Sequence, residues 1–312
     1  MPCLPLLTTI DACTMPVNEL KILFIINPGS GKVKRDWQAE IMDYFKDKPQ
    51  EIQCFELPEN CKKAVIKEMI RQSGAAKIIA VGGDGTVKLV AECLLHTELL
   101  LGIIPAGSAN GMARELDIPT DLTKALDLII DADVKQIHLV KVNDELCIHL
   151  SDIGFNAYVV KKFEEEGARG MWGYVKAAFK ALWEHRYMQV RIQTDEEEKT
   201  MRAAMVVIAN ATMYGNGVVI NPKGTLFDDF FEVVVIRKIS FREIFKMRFT
   251  QKGFNREKTE FFQTRSLSIA SKSRAHFQVD GETMGKVKKL DAEIITKALN
   301  ILVKKEEKDD GA

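Results

Sequence analysis

Ile78-Ile79-Ala80-Val81-Gly82-Gly83-Asp84-Gly85-Thr86 is a short apolar run ending in a glycine-rich turn, and the residues after Thr86 have helical spacing. A continuously apolar stretch of this length suits a strand buried on both faces of a parallel sheet. The unit recurs on either side. Ile22–Ile26 (ILFII) runs into Asn27-Pro28-Gly29, and Leu99–Ile104 runs into Pro105-Ala106-Gly107. Strand, glycine turn and helix, repeated three times, predicts an α/β domain over residues 20–140, with a phosphate site beyond the carboxyl ends of the strands.

Past residue 140 the pattern changes. IHLVKV, ELCIHLSDI, MQVRIQT, AMVVIAN, FEVVVIRKI, SLSIA and HFQVD are short β-rich stretches separated by turn residues, which predicts a second, mostly antiparallel all-β domain over 141–303. Two helices are expected within it. One covers 170–185, with Met171, Val175, Ala178 and Leu182 on a stripe beside Trp172, Phe179 and Trp183; the other starts at Ser240. Residues 1–19 read as a flexible leader, and 304–312 as a solvated charged tail.

The 312 residues are 46% hydrophobic, enough for two cores, and carry 44 basic against 44 acidic side chains. That balance supplies no global field for nucleic acid, so none is expected as a partner. Six cysteines without paired C-x-x-C spacing read as free thiols in a reducing compartment. No apolar run is long enough to span a bilayer, so a cytoplasmic protein is expected. Eight basic residues between Arg237 and Lys258, with Phe241, Ile244, Phe245 and Phe249 among them, suggest peripheral contact at the inner membrane face; a solvated basic helix face explains them equally.

The chemistry sits in the loops. Asn27-Pro28-Gly29-Ser30-Gly31-Lys32 is not a Walker loop, because Ile26 and Val33 stand where that pattern needs Gly and Ser or Thr. It remains a turn whose N–H groups suit phosphate, although a plain strand-to-helix turn accounts for it as well. In Gly82-Gly83-Asp84-Gly85-Thr86, three glycines would let the backbone approach a nucleotide while one aspartate stood by its metal; a tight turn capped by Asp84 is the competing reading. Gly107-Ser108-Ala109-Asn110 adds a hydroxyl and an amide, or forms only a helix cap.

Together NPGSG, GGDGT and PAGSAN, the last continuing into GMARELDIP, resemble the catalytic domain of the diacylglycerol, sphingosine and ceramide kinase family. Gly154-Phe155-Asn156-Ala157 is similar to the family's GF-x-A, Leu226-Phe227-Asp228-Asp229 to its L-x-DD, and Asp280-Gly281-Glu282 to its DGE. The resemblance implies a Rossmann-like α/β domain followed by a β-sandwich, as in NAD kinase and diacylglycerol kinase. It implies an ATP- and Mg²⁺-dependent lipid kinase acting on a lipid alcohol such as diacylglycerol or a sphingoid base, and leaves a homodimer open.

By the same resemblance Asn27, Ser30, Gly31, Gly82, Gly83, Gly85, Thr86, Gly107, Ser108 and Asn110 line the ATP site. Lys32 contacts phosphate, Asp84 holds the catalytic Mg²⁺ and Glu282 is the general base. Leu226 and Phe231, through their backbones, and Asp229 hold a second, structural Mg²⁺, although an ordinary acidic loop accounts for these residues nearly as well. For Glu282, a hairpin position after Asp280-Gly281 is the competing reading. The chain departs from the family at Lys88-Leu89, where Asn-Glu or His-Glu is usual, and at Phe230, where glycine is usual. The first departure motivates an alternative, a nucleotide- or lipid-binding member without catalysis; NAD kinase ranks lower, since GIIPAGSANGMAREL replaces its usual segment.

Overall fold

The computed structural model describes residues 21–31, 35–165 (backbone alone at 163–165), 187–212, 219–221, 224–239 and 258–305. Lys32, both helices expected in the second domain, and the leader lie outside the described residues, as do most of the basic segment and the end of the tail.

The chain opens with β1 (Lys21–Ile26), α1 (Trp37–Phe45), β2 (Glu51–Glu56), α2 (Lys63–Ser73), β3 (Lys77–Gly82), α3 (Asp84–Leu94) and β4 (Leu100–Pro105). Five of the six residues in each of β1, β3 and β4 are buried, as expected of strands covered on both faces. The strand period of two divides them. Ile22, Phe24 and Ile26 pack with Trp37, Ile41 and Phe45 of α1, whereas Leu23 and Ile25 pack with Ile66 of α2 and Val90 and Leu94 of α3. The parallel order is β2-β1-β3-β4. The chain thus steps outward from β1 to β2 and returns on β1's other side. The crevice at this reversal, between the carboxyl ends of β1 and β3, is where such sheets receive ligands.

After α4 (Gly111–Glu115) and α5 (Leu122–Ile130) come β5 (Asp133–Val142), β6 (Glu145–Cys147), β7 (Leu150–Gly154), α6 (Phe155–Glu165), β8 (Met188–Thr194), β9 (Glu198–Ala203), β10 (Met205–Ala209), β11 (Phe231–Ile236), β12 (Thr259–Thr264), β13 (Ser266–Val279) and β14 (Glu282–Val303). Alternation places Val190, Ile192, Val206, Ile208, Val233 and Val235 in one core with Leu267, Ile269 and Phe277. The opposite faces of β10 and β11 are covered by Phe155 and Val159 of α6, which explains why both strands are buried throughout.

Three features differ from the sequence expectation. SLSIA and HFQVD are two ends of one strand, β13. The GF-x-A segment opens a helix, α6, where the pattern predicts none. The largest difference is β14, 22 residues long. Its first half pairs antiparallel with β13, its second half with β5, and Asn300 and Ile301 pair in parallel with Leu100 and Leu101 of β4. One strand therefore joins the α/β sheet to the β domain.

Ile301 is fully buried at that junction, among Leu101 and Ile137. Ile301→Ala should lower stability by about 2–5 kcal/mol. Urea unfolding should show its midpoint moving to lower denaturant, with probes in both domains shifting together.

Candidate active site

The three glycine loops meet at the crevice, and their glycines are there for space. A Cβ on Gly107 would lie 2.5 Å from Cα of Gly83, and one on Gly31 would lie 2.9 Å from the carbonyl oxygen of Ala106. Neither distance is sterically possible, so the backbones of the three loops touch. Gly31 also has φ +88°, in the left-handed region. Gly82 is packed against the Thr86 side chain, while Gly85 faces open space.

Side chains then tie the loops together. The Asn27 amide donates to Oγ1 of Thr86 at 3.0 Å, and its carbonyl oxygen accepts from Gly29 N–H at 3.0 Å. Asn110, with φ +53°, accepts from Gly107 N–H at 2.8 Å and donates back to the Gly107 carbonyl at 2.9 Å. Asp84 is the first residue of α3. Its two carboxylate oxygens accept the N–H groups of Gly111 at 2.9 Å and Met112 at 3.1 Å, fixing α4 against α3. Ser108 is exposed and Ser30 half-buried at the same sheet end.

The second domain reaches this place through the β13–β14 hairpin. Val279 and Glu282 pair across a two-residue turn in which Asp280 (φ +51°) and Gly281 (φ +89°) are both left-handed, the geometry Asp-Gly favours. Glu282 is thus a hairpin residue, and it is exposed. Asp280 points inward: its carboxylate accepts N–H groups from Ile148 at 3.1 Å, His149 at 2.9 Å and Leu150 at 3.2 Å. The GF-x-A segment supports the turn at one remove. Asp152 accepts from Asn156 Nδ2, Ala157 N–H and Gln278 Nε2, and Gln278 in turn accepts from Gly281 N–H.

Three further residues bind the domains, and no motif marks them as site residues. Glu115 of α4 accepts from the N–H and hydroxyl of Thr212, after β10. The His149 ring lies against Gly111, where a Cβ would stand 2.9 Å from its Cε1. Lys88 is buried with Nζ 3.4 Å from Asp280 Oδ2. His149 Nε2 is buried without a hydrogen-bond partner among the described residues. Burial pushes the pKa of His149 down, against the pull of Asp280, Asp84 and Glu115. A basic residue in an α/β helix interior is the signal that marks Lys88.

Two charged side chains of the α/β domain are held in ion pairs of their own. Glu92 pairs with Lys63 of α2 at 2.6 Å, and Arg35 binds Glu40 while lying 4.5 Å from the Trp37 ring centroid. Among the described residues no three His, Cys, Asp or Glu side chains gather as a metal cluster. Asp84 nevertheless fits Mg²⁺ held mainly by phosphate oxygens, since each carboxylate oxygen keeps a lone pair beyond its N–H bond. The second cation implied at Leu226, Asp229 and Phe231 fits less well. Leu226 O accepts from His138 N–H at 2.9 Å, and Asp229 carries Arg265 through Nε at 3.0 Å and Nη2 at 2.5 Å. The guanidinium lies 4.2 Å from the ring centroid of Phe230, which stands in place of glycine. Asp229 thus already has a side-chain cation, and the residues as placed do not fit a metal.

Residues 21–142 match the family model described as the diacylglycerol kinase catalytic domain, and residues 151–303 the one described as the YegS C-terminal NAD kinase beta sandwich-like domain. A protein named diacylglycerol kinase from Staphylococcus saprophyticus is 26% identical over 67% of this chain and 71% of its own length. A protein named probable lipid kinase YegS-like from Chromohalobacter salexigens is 28% identical over 55% of this chain and 58% of its own. An uncharacterized Synechocystis protein is 37% identical over 47% of this chain, a match that spans only 35% of that relative. A crystal structure of a diacylglycerol kinase from Bacillus anthracis superposes with a TM-score of 0.69 at 19% identity, covering 91% of this chain and 97% of that one, a likeness of fold.

Gly107→Ala should force the loops apart, costing about 1–3 kcal/mol of stability. Calorimetric titration should show weaker ATP binding by about tenfold or more. The histidines set a second expectation. His149 and His138 both have folded-state pKa values lowered by burial. Below about pH 6.5 the unfolded chain gains protons that the native state does not. Stability should therefore be intact at pH 7.5 and fall as pH drops to 5.5, by about 1 kcal/mol for the buried His149 and by less for the more exposed His138. Urea midpoints across this range should show the fall, and His149→Gln should flatten it.

Proposed function

Given that the chain belongs to the diacylglycerol kinase catalytic-domain family of lipid kinases, we propose that it transfers the γ-phosphoryl group of ATP to the hydroxyl of a lipid such as diacylglycerol or a sphingoid base. The observation that carries this reading is the meeting of the three glycine loops with Asp84 at the sheet's switch point, beside the hairpin bearing Glu282.

In this reading the phosphates of ATP lie on the backbone N–H groups of the loops at Gly29–Gly31, Gly83–Gly85 and Gly107–Ser108, with Lys32 contacting phosphate and Asn27, Thr86 and Asn110 holding the loops in shape. Asp84 would hold Mg²⁺, which neutralises phosphate charge when bound. Glu282 accepts the proton of the lipid hydroxyl as its oxygen bonds to the γ-phosphorus, the bond to the bridging β-γ oxygen breaks, and ADP leaves. An exposed carboxylate at a hairpin tip suits an acceptor that arrives from outside, as a lipid drawn from a bilayer does.

The departure at Lys88-Leu89 does not favour a non-catalytic member. Lys88 is paired with Asp280 and Leu89 packs against the core, so both serve the fold and leave the loops intact. Peripheral contact with a membrane surface follows from a lipid substrate. No helix among the described residues is long and apolar enough to cross a membrane.

The test is transfer of labelled γ-phosphate to a panel of lipids in mixed micelles with Mg²⁺. One or more lipids should be phosphorylated, with loss of about 100-fold or more in Asp84→Ala and Glu282→Ala. ATP binding without transfer to any lipid would instead favour the non-catalytic member.

A further inference from the structure

Lys88 follows Asp84 by four residues on α3, so the two project from one face of the helix. Asp84 is tied to the nucleotide side, through Gly111 and Met112. Lys88 is tied to the other domain. Its side chain is 8% exposed, that of Asp280 is 4% exposed, and the two charges stand 3.4 Å apart. A buried ammonium requires an opposite charge nearby, and no hydrogen bond fixes Nζ among the described residues, so Asp280 is what holds it.

Asp280 cannot shift toward Lys88 independently, because its carboxylate is already bound by the N–H groups of residues 148–150. It is also the first residue of a two-residue turn whose next strand position is Glu282. Any movement of Asp280 relative to α3 therefore moves Glu282 relative to Asp84.

We propose that Lys88 is a positioning residue which, through Asp280, sets the separation between the phosphate loops and the hairpin carrying Glu282. The phosphoryl donor and the proton acceptor are held by one buried charge pair running between the domains. The kinetic half of this proposal rests on the kinase reading above; the mechanical half does not.

The experiment compares wild type with Lys88→Met, Lys88→Arg and Asp280→Asn, measuring hydrogen exchange at the amides of Ile148, His149 and Leu150 alongside kcat and KM. Lys88→Met should exchange at those amides about tenfold faster or more and lose about 100-fold in kcat for lipid, with KM for ATP within about threefold of wild type. Lys88→Arg, which keeps the charge, should recover most of both. Should Lys88→Met not fold, Lys88→Gln carries the same comparison. Unchanged exchange in the variant would overturn the pairing, and faster exchange with unchanged kcat would overturn the positioning role. If wild type phosphorylates no lipid, the kinase reading and the positioning role fail together, while the exchange data still decide whether Lys88 holds the hairpin.

Discussion

Strand β14 has to satisfy three neighbours with one backbone. Its first half is committed to β13, its second half to β5, and its last stretch of pairing to β4. A one-residue slip against any of them would exchange the face carrying Leu299, Ile301 and Val303 for the one carrying Asn300 and Leu302, and bring the polar Asn300 into the core beside Leu101 and Ile137. Since β4 ends in the Gly107 loop and β14 begins at Glu282, this register brings the hairpin to the phosphate loops and leaves their final separation to the contacts at the hairpin itself. The β4 pairing fixes the two domains in translation, and the side chains near the hairpin refine the fit.

That refinement is polar. Asp84, Asp280, Lys88, Glu115 and His149 lie where the domains meet, and most of their polar atoms have a partner in the opposing domain or in a neighbouring loop. An apolar seam of the same size would give more stability, but it could not receive a polyphosphate. Buried charges tolerate so little displacement that they also make the cleft stiff. The cleft therefore combines a rigid floor with an exposed carboxylate at its rim.

Much of this was legible in the residues themselves. Strands β1, β3 and β4 announce burial on both faces by continuous apolar runs, and their glycine loops declare a close approach that the structure shows as backbone contact between Gly83 and Gly107. The Asp280-Gly281 turn was readable from turn chemistry alone. Strand β14 was not. Charged residues fill its first half, only Leu290 and Ala292 there are fully buried, and positive φ angles at Gly285 and Lys297 break the alternation that marks a strand. Lys88 was visible as a departure from the family motif, but its partner lies 192 positions away (280 − 88) and in the other domain. Arg265 was hidden likewise, since nothing local to L-x-DD indicates that a guanidinium from the β12–β13 corner will bind Asp229.

The pairing of β14 with β4 also bears on synthesis. The parallel sheet that holds the nucleotide loops is encoded in the first third of the chain, yet the strand lying against β4 is made after residue 295. While the ribosome works through the β domain, β4 presents an unsatisfied edge, and Leu101 and Ile137 lack a wall that Ile301 later provides. The nascent α/β unit must wait, exposed to misassociation, until the second half of β14 emerges, so its folding in the cell is tied to the synthesis of that strand rather than to its own completion.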